Sequence, residues 1–141
     1  MTYGVGMRDL AEFLEGRWTV DRHLYEGDAQ GTFAGEAEFT RDGDGLVWDE
    51  RGRLRWQRYD GEAYRRLLLV PGDAGWEVRF DDGRLFHPID LTQARFEAFH
   101  PCGEDRYEGT YRVLGEDELL VRWLVRGPRK DQEIISRYRR A

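Results

Sequence analysis

Two histidines, one thiol and a scatter of arginines hold most of the chemistry this chain could perform. The densest stretch is FHPCGED, residues 99–105, where His100, Cys102, Glu104 and Asp105 stand just ahead of Tyr107. Histidine is the usual proton carrier near neutral pH. Cysteine turns nucleophilic when a neighbour such as a charged imidazole lowers its pKa. His100 and Cys102, with the distant His87, are also zinc-ligating types. Their spacing argues against a metal: no C-x-x-C or H-x-x-x-H is present, and Pro101 fixes one backbone angle between the two donors. Two further readings suit the stretch. Pro101-Cys102-Gly103 can reverse the chain while Glu104 or Asp105 accepts bonds from the turn's N–H groups, or the loop can touch a ligand.

A second set of polar residues falls in phase with apolar ones. Arg22 follows Trp18 and Val20, Glu50 follows Leu46 and Trp48, and Arg58 follows Leu54 and Trp56. Tyr64 and Arg66 precede Leu68 and Val70, and His87 sits between Leu85 and Ile89. His100 follows Phe96 and Ala98, while Tyr107 and Tyr111 share a face with Val113. A solid core would not accept this many charges, but a solvated cavity with converging polar groups would. Arg22, Arg58 and Arg66 outnumber Glu50, so such a cavity leans positive and suits an anionic or carbonyl-bearing ligand. Leucine at Arg22 or Arg66 is then expected to abolish anion binding without unfolding the protein. Bulges shift strand phase, which leaves a surface location open for each arginine. Trp48 and Trp56 are the tryptophans placed to stack on a flat ligand. His23 is read as surface.

The elements that would position these groups follow from periodicity. In MRDLAEFLEG, Leu10, Phe13 and Leu14 share one helical face, and Gly16 fits the position that stops a helix. After Gly16 the apolar period changes from 3.6 to 2. About ten short strand-like runs follow, separated by turns at residues 41–45, 71–73 and 82–83. Asp60-Gly61 is read as a hairpin turn, and residues 50–52 as a break between runs. Gly31, Gly35 and Gly109 fall inside strands, where glycine marks a bend or a close backbone approach. The pattern predicts an all-β fold: a closed antiparallel up-and-down β-barrel of eight to ten strands with a short N-terminal capping helix.

Length and charge bound the rest. The 141 residues, with no internal repeat or linker, make one domain spanning 1–141. Formal net charge is −6, which argues against nucleic acid as a partner. The basic tail, residues 126–140, is interrupted by Asp131 and Glu133 and reads as a solvated hairpin. Of 22 basic residues only Lys130 is lysine, a bias that fits a GC-rich bacterial genome rather than a function. The longest apolar run, residues 67–70, is far too short to span a membrane. The single cysteine excludes an internal disulfide, and the first sixteen residues hold no apolar signal core. A cytoplasmic monomer or homodimer is expected.

Gly16-Arg17-Trp18 at the start of the first strand, a preceding short helix, a meander and arginines in the last strand together resemble the calycin-like barrels: lipocalins, fatty-acid-binding proteins and nitrobindins. The resemblance implies that Trp18 plugs the closed end and that Arg137 or Arg139 covers it. The segments around His87-Pro88-Ile89-Asp90 and His100-Pro101-Cys102-Gly103, with the C-terminal RGPRKDQEIISRYRR, are similar to an uncharacterised family of small domains. Departures narrow the inference. Nitrobindins extend G-x-W with further glycines and ligate haem through a late histidine, whereas here Thr19, Val20 and Asp21 follow Trp18, and no histidine follows His100. No cofactor is therefore expected, haem and zinc being the alternatives. The carboxylate clamp of fatty-acid-binding proteins, R-x-Y, does not transfer onto Arg137-Tyr138-Arg139.

The function expected from these residues is binding of a small, partly apolar, anionic molecule inside the barrel. Candidate ligand-contacting residues are Arg22, Trp48, Trp56, Arg58, Tyr64, Arg66, His87, His100 and Tyr111. A second reading is a small barrel enzyme acting on a carbonyl compound, with His87 or His100 as acid/base and Tyr107 helping to stabilise negative charge. A third is a structural or interaction domain with a filled barrel.

Overall fold

The computed structural model describes residues 10–141. One short helix, α1 (Leu10–Leu14), buries every side chain except Glu12. The sequence reading begins this helix at Met7; Met7, Arg8 and Asp9 lie outside the described residues. Gly16 takes φ +115°, a conformation open to glycine, and lets the chain leave α1 straight into the first strand.

Ten strands follow: β1 (Gly16–Glu26), β2 (Ala29–Asp42), β3 (Gly45–Trp56), β4 (Tyr59–Gly72), β5 (Gly75–Phe80), β6 (Leu85–Ile89), β7 (Arg95–Cys102), β8 (Asp105–Gly115), β9 (Glu118–Gly127) and β10 (Lys130–Arg140). They form one antiparallel sheet in the order β6-β5-β4-β3-β2-β1-β10-β9-β8-β7. The predicted up-and-down barrel is thus observed, nearly closed. Across the seam between β6 and β7 the packing is aromatic: the His100 ring meets Phe86 at 5.2 Å and Phe80 at 5.7 Å, both edge-on. Among the described residues no helix is long and apolar enough to cross a membrane.

The helix closes one end. Trp18 is wholly buried there, donates from Nε1 to the Leu14 carbonyl at 2.8 Å, and takes the edge of Phe13 at 5.6 Å. Its cover is Arg140, not Arg137 or Arg139. The Arg140 guanidinium lies 4.2 Å from the Trp18 ring centroid and donates to the Phe13 carbonyl at 2.6 Å. Strand alternation explains the correction. Ser136 and Tyr138 face inward on β10, so Arg140 does too, while Arg137 and Arg139 turn out toward Glu118.

Two local readings also change. Residues 50–52 do not break a strand; β3 runs through them. The hairpin between β3 and β4 turns at Gln57-Arg58, with Gln57 at φ +54°, and Asp60-Gly61 lies inside β4. Strand glycines mark close approaches as expected. A Cβ on Gly35 would stand 2.2 Å from the Arg51 carbonyl oxygen, and one on Gly109 would stand 2.7 Å from the Trp123 indole.

Candidate functional site

Inward residues along β1 run from the plugged end to the open end as Trp18, Val20, Arg22 and Leu24. Apolar contacts fill the barrel below Arg22, with Phe39, Leu46, Leu69 and Val78 all buried. At the level of Arg22 the lining turns polar. Above it lies a cavity of about 270 Å³ that opens away from the helix. Apolar walls come from Leu24, Phe33, Leu54, Phe86, Trp123 and Ile134, among others. Small residues face each other across the neighbouring strands, Gly35 opposite Gly52 and Gly52 opposite Ala63, and Ala63 borders the cavity.

The polar belt is built around Glu50, which is 1% exposed. Its Oε1 accepts from Arg22 Nη2 at 2.8 Å and pairs with Arg65 Nη2 at 3.1 Å. Its Oε2 accepts from Trp48 Nε1 at 3.0 Å and from the Tyr138 hydroxyl. Four donors thus occupy a carboxylate with about four acceptor sites. Burial alone would raise the Glu50 pKa. The Arg65 and Arg22 charges and the bonds from Tyr138 and Arg22 overcome it and hold the carboxyl at about 2. Such a group is an anchor rather than a proton acceptor at neutral pH. Arg22 also donates from Nε to Ser136 Oγ at 2.6 Å and from Nη2 to the Tyr138 hydroxyl at 3.0 Å.

Arg65 differs from Arg22. Its guanidinium is 5.6 Å from the Trp48 ring centroid, and 42% of its side chain remains open, onto the cavity. Burial among the barrel walls opposes its charge, but Glu50 outweighs that, and its pKa is raised. Among the described residues Glu50 is its one ion-pair partner. Two guanidinium groups against one carboxylate leave the belt with one positive charge, next to the void.

Beside the belt, Tyr111 lines the cavity and bonds to His87 Nε2 at 3.0 Å. The other nitrogen, His87 Nδ1, lies 2.7 Å from the Pro88 carbonyl oxygen. His87 is 1% exposed, and burial lowers its pKa to about 4, with the nearby His100 acting in the same direction. A bulge places it: β5 Val78 pairs with His87 and Arg79 with Leu85, so Phe86 is the extra residue and both Phe86 and His87 turn inward. Leu85, expected on the same face as His87, is instead 45% exposed.

The predicted site residues divide accordingly. Arg22, Trp48, Tyr64, Tyr107 and Tyr111 border the cavity, Tyr64 from an outward-turned position on β4. His87 packs behind its wall and His100 fills the seam, so neither ring lines it. Trp56 is inward but lies at the rim over Gly31, away from the lining. Arg58 sits in an exposed turn. The inward residues of β4 are Gly61, Ala63, Arg65, Leu67 and Leu69, which corrects the strand phase of Tyr64 and Arg66, although Tyr64 still borders the cavity and Arg66 does not. The Tyr64 hydroxyl and Arg66 Nε both donate to Asp49 on the outer surface. In the 99–105 stretch, Cys102 is exposed and the chain turns at Gly103-Glu104 at the barrel mouth. Among the described residues no group of three or more His, Cys, Asp or Glu side chains is placed to hold a metal.

The sequence reading missed Arg65, Phe86, Trp123, Ser136 and Tyr138 as contributors to the site. Arg65 was legible only as one of two adjacent arginines before an unbroken apolar run. Trp123 was marked by Gly109, its register partner, over which the indole lies.

Residues 14–140 match the profile of a family of unknown function, DUF6314. The chain belongs to that family. No curated protein matches the sequence. Among solved structures, the S-type phycobiliprotein lyase CPES from Guillardia theta superposes with TM-score 0.74 at 10% identity, over 94% of this chain and 91% of that one. The likeness shows that this DUF6314 chain shares the barrel fold of that protein. Two designed barrels align more weakly. A fluorescence-activating barrel scores 0.48 at 20% identity, covering 94% and 98% of the two chains. A redesigned barrel bound to DFHBI scores 0.47 at 16% identity, covering 92% and 97%.

Proposed function

We propose that this protein binds a small, partly apolar anion inside the barrel, with the anionic group on Arg65 and the apolar body against Phe86, Trp123 and Leu54. The observation that carries the reading is the partly open side chain of Arg65 on an apolar-walled cavity, its charge in excess of Glu50. The volume, about 270 Å³, lies at the lower edge of the ~300–1,000 Å³ typical of small-molecule sites and suits a ligand of one or two rings. A similar barrel is that of a phycobiliprotein lyase, which supports reading this barrel as one that can carry a site.

Titration with 2-naphthoate, followed by tryptophan fluorescence and calorimetry, tests the reading. Arg65→Met is expected to weaken binding about 10–100-fold, the worth of a hydrogen bond to a charged group; it also removes a partner of Glu50 and lowers the urea midpoint, so affinity is compared where the variant is fully folded. Equal affinity in the variant, or preference for neutral naphthalene-methanol, would overturn it.

A further inference from the structure

The His87–Tyr111 pair fixes which way a proton points at the cavity wall. The Pro88 carbonyl oxygen can only accept, so His87 Nδ1, 2.7 Å away, carries a hydrogen. A neutral imidazole then has Nε2 as an acceptor, and the Tyr111 hydroxyl at 3.0 Å must donate to it. The ring is held neutral by its surroundings: Phe86, Tyr111 and Trp123 pack on it at 4.7, 5.4 and 5.4 Å between centroids, with His100 beyond Phe86. Among the described residues the Tyr111 hydroxyl makes this one hydrogen bond. Its proton is committed to the wall, and what it offers to the cavity is lone pairs.

Arg65 therefore presents donors at the cavity floor, and Tyr111, close enough to feel its charge, presents an acceptor. We propose that the ligand carries a hydrogen-bond donor, a hydroxyl or an N–H, on the same molecule as its anionic group, and that Tyr111 receives this donor while His87 acts as the positioning residue. This deepens the reading above and rests on it. A ligand with an acceptor at that point would leave two oxygens facing each other without a proton, the type of mismatch that a polar site rejects strongly.

Two measurements test the proposal. Long-range nitrogen–proton NMR of the free protein reads the tautomer directly. The Nδ1-protonated neutral form is expected at pH 7, and an Nε2-protonated or charged ring would overturn the proposal. Binding is then compared for naphthoate, the hydroxynaphthoate isomers and their methyl ethers. At least one hydroxynaphthoate is expected to bind about tenfold tighter than its methyl ether, and Tyr111→Phe to shrink that ratio below about threefold. In His87→Phe the tyrosine proton is released and the ratio is expected to fall while parent naphthoate still binds. Equal affinity of every hydroxyl and ether pair, with Arg65-dependent naphthoate binding intact, would overturn the donor inference alone. Absence of any Arg65-dependent binding would instead overturn the anion-site reading and this inference with it.

Discussion

The ladder between β3 and β4 carries the same chemistry on both faces. Outside, Asp49 accepts from Arg66 and Tyr64; inside, one residue along each strand, Glu50 accepts from Arg65, Arg22 and Tyr138. Arg65 and Arg66 even expose the same fraction, 42%. Their surroundings differ. Arg66 opens into bulk water, where an ion pair is worth about 0–1 kcal/mol. Arg65 opens into a cavity whose walls are mostly apolar. There each charge has lost hydration, and removing one partner strands the others. A fold gains little stability from the inner group that leucines would not supply, which supports the proposed anion site.

The largest contrast is expected from neutralising each carboxylate. Glu50→Gln should destabilise the protein by about 3 kcal/mol, the lower end of the cost of breaking a buried pair, because Arg65 keeps some cavity water. Asp49→Asn should change stability by less than ~1 kcal/mol. Urea unfolding of the two variants measures both. Similar losses would show that the inner belt is as well hydrated as the surface.

Acid should separate the faces next. The Glu50 carboxyl is held at about 2 against an ordinary 4.5, so its stabilisation is complete above about pH 4.5 and is lost as pH falls toward 2. His87 is held neutral down to about 4 against an ordinary 6.5. Its unfolded form binds a proton first, so stability also falls with acid, between about pH 6.5 and 4. Each group contributes about 3 kcal/mol over its window, from roughly 1.36 kcal/mol per unit. His87→Phe should flatten the upper limb and Glu50→Gln the lower one. Asp49 is also lowered, by its bonds to Arg66 and Tyr64 against the cost of burial, but lies where water and salt screen it. Asp49→Asn should leave both limbs in place.

The barrel was legible because its evidence is redundant. Ten alternating runs, a stop glycine and a G-x-W each point the same way, and one misplaced turn does not change the topology. The site was legible only where alternation is marked on both sides. Trp18, Val20, Arg22 and Leu24 fix the phase of β1, and Leu46, Trp48 and Glu50 that of β3. In β4 the run Leu67-Leu68-Leu69-Val70 is apolar at every position, because the strand packs inward at Leu67 and Leu69 and half-buries Leu68 and Val70 outside. It cannot say which of Arg65 and Arg66 faces the cavity. The turn at Gln57-Arg58 decides, through a left-handed glutamine that no sequence rule favours. Phe86 and His87 both facing inward depends likewise on a bulge that periodicity does not encode.

The smallest expected effect is the most pointed. Arg66→Leu removes a positive charge from the position the sequence pattern places inside, yet should shift stability by less than ~0.5 kcal/mol and leave the affinity for 2-naphthoate within twofold. Side-chain direction in a strand has period two, so sliding β4 by one residue against β3 would exchange Arg65 and Arg66 wholesale and carry Tyr64 into the barrel with them. No intermediate arrangement exists. If Arg66→Leu abolished binding while Arg65→Met did not, the β3–β4 hairpin would need a three-residue turn that sets Trp56 opposite Asp60, and Arg66 would take the place of Arg65 opposite Glu50. The two arginine variants therefore measure the register of one hairpin as much as the site it builds.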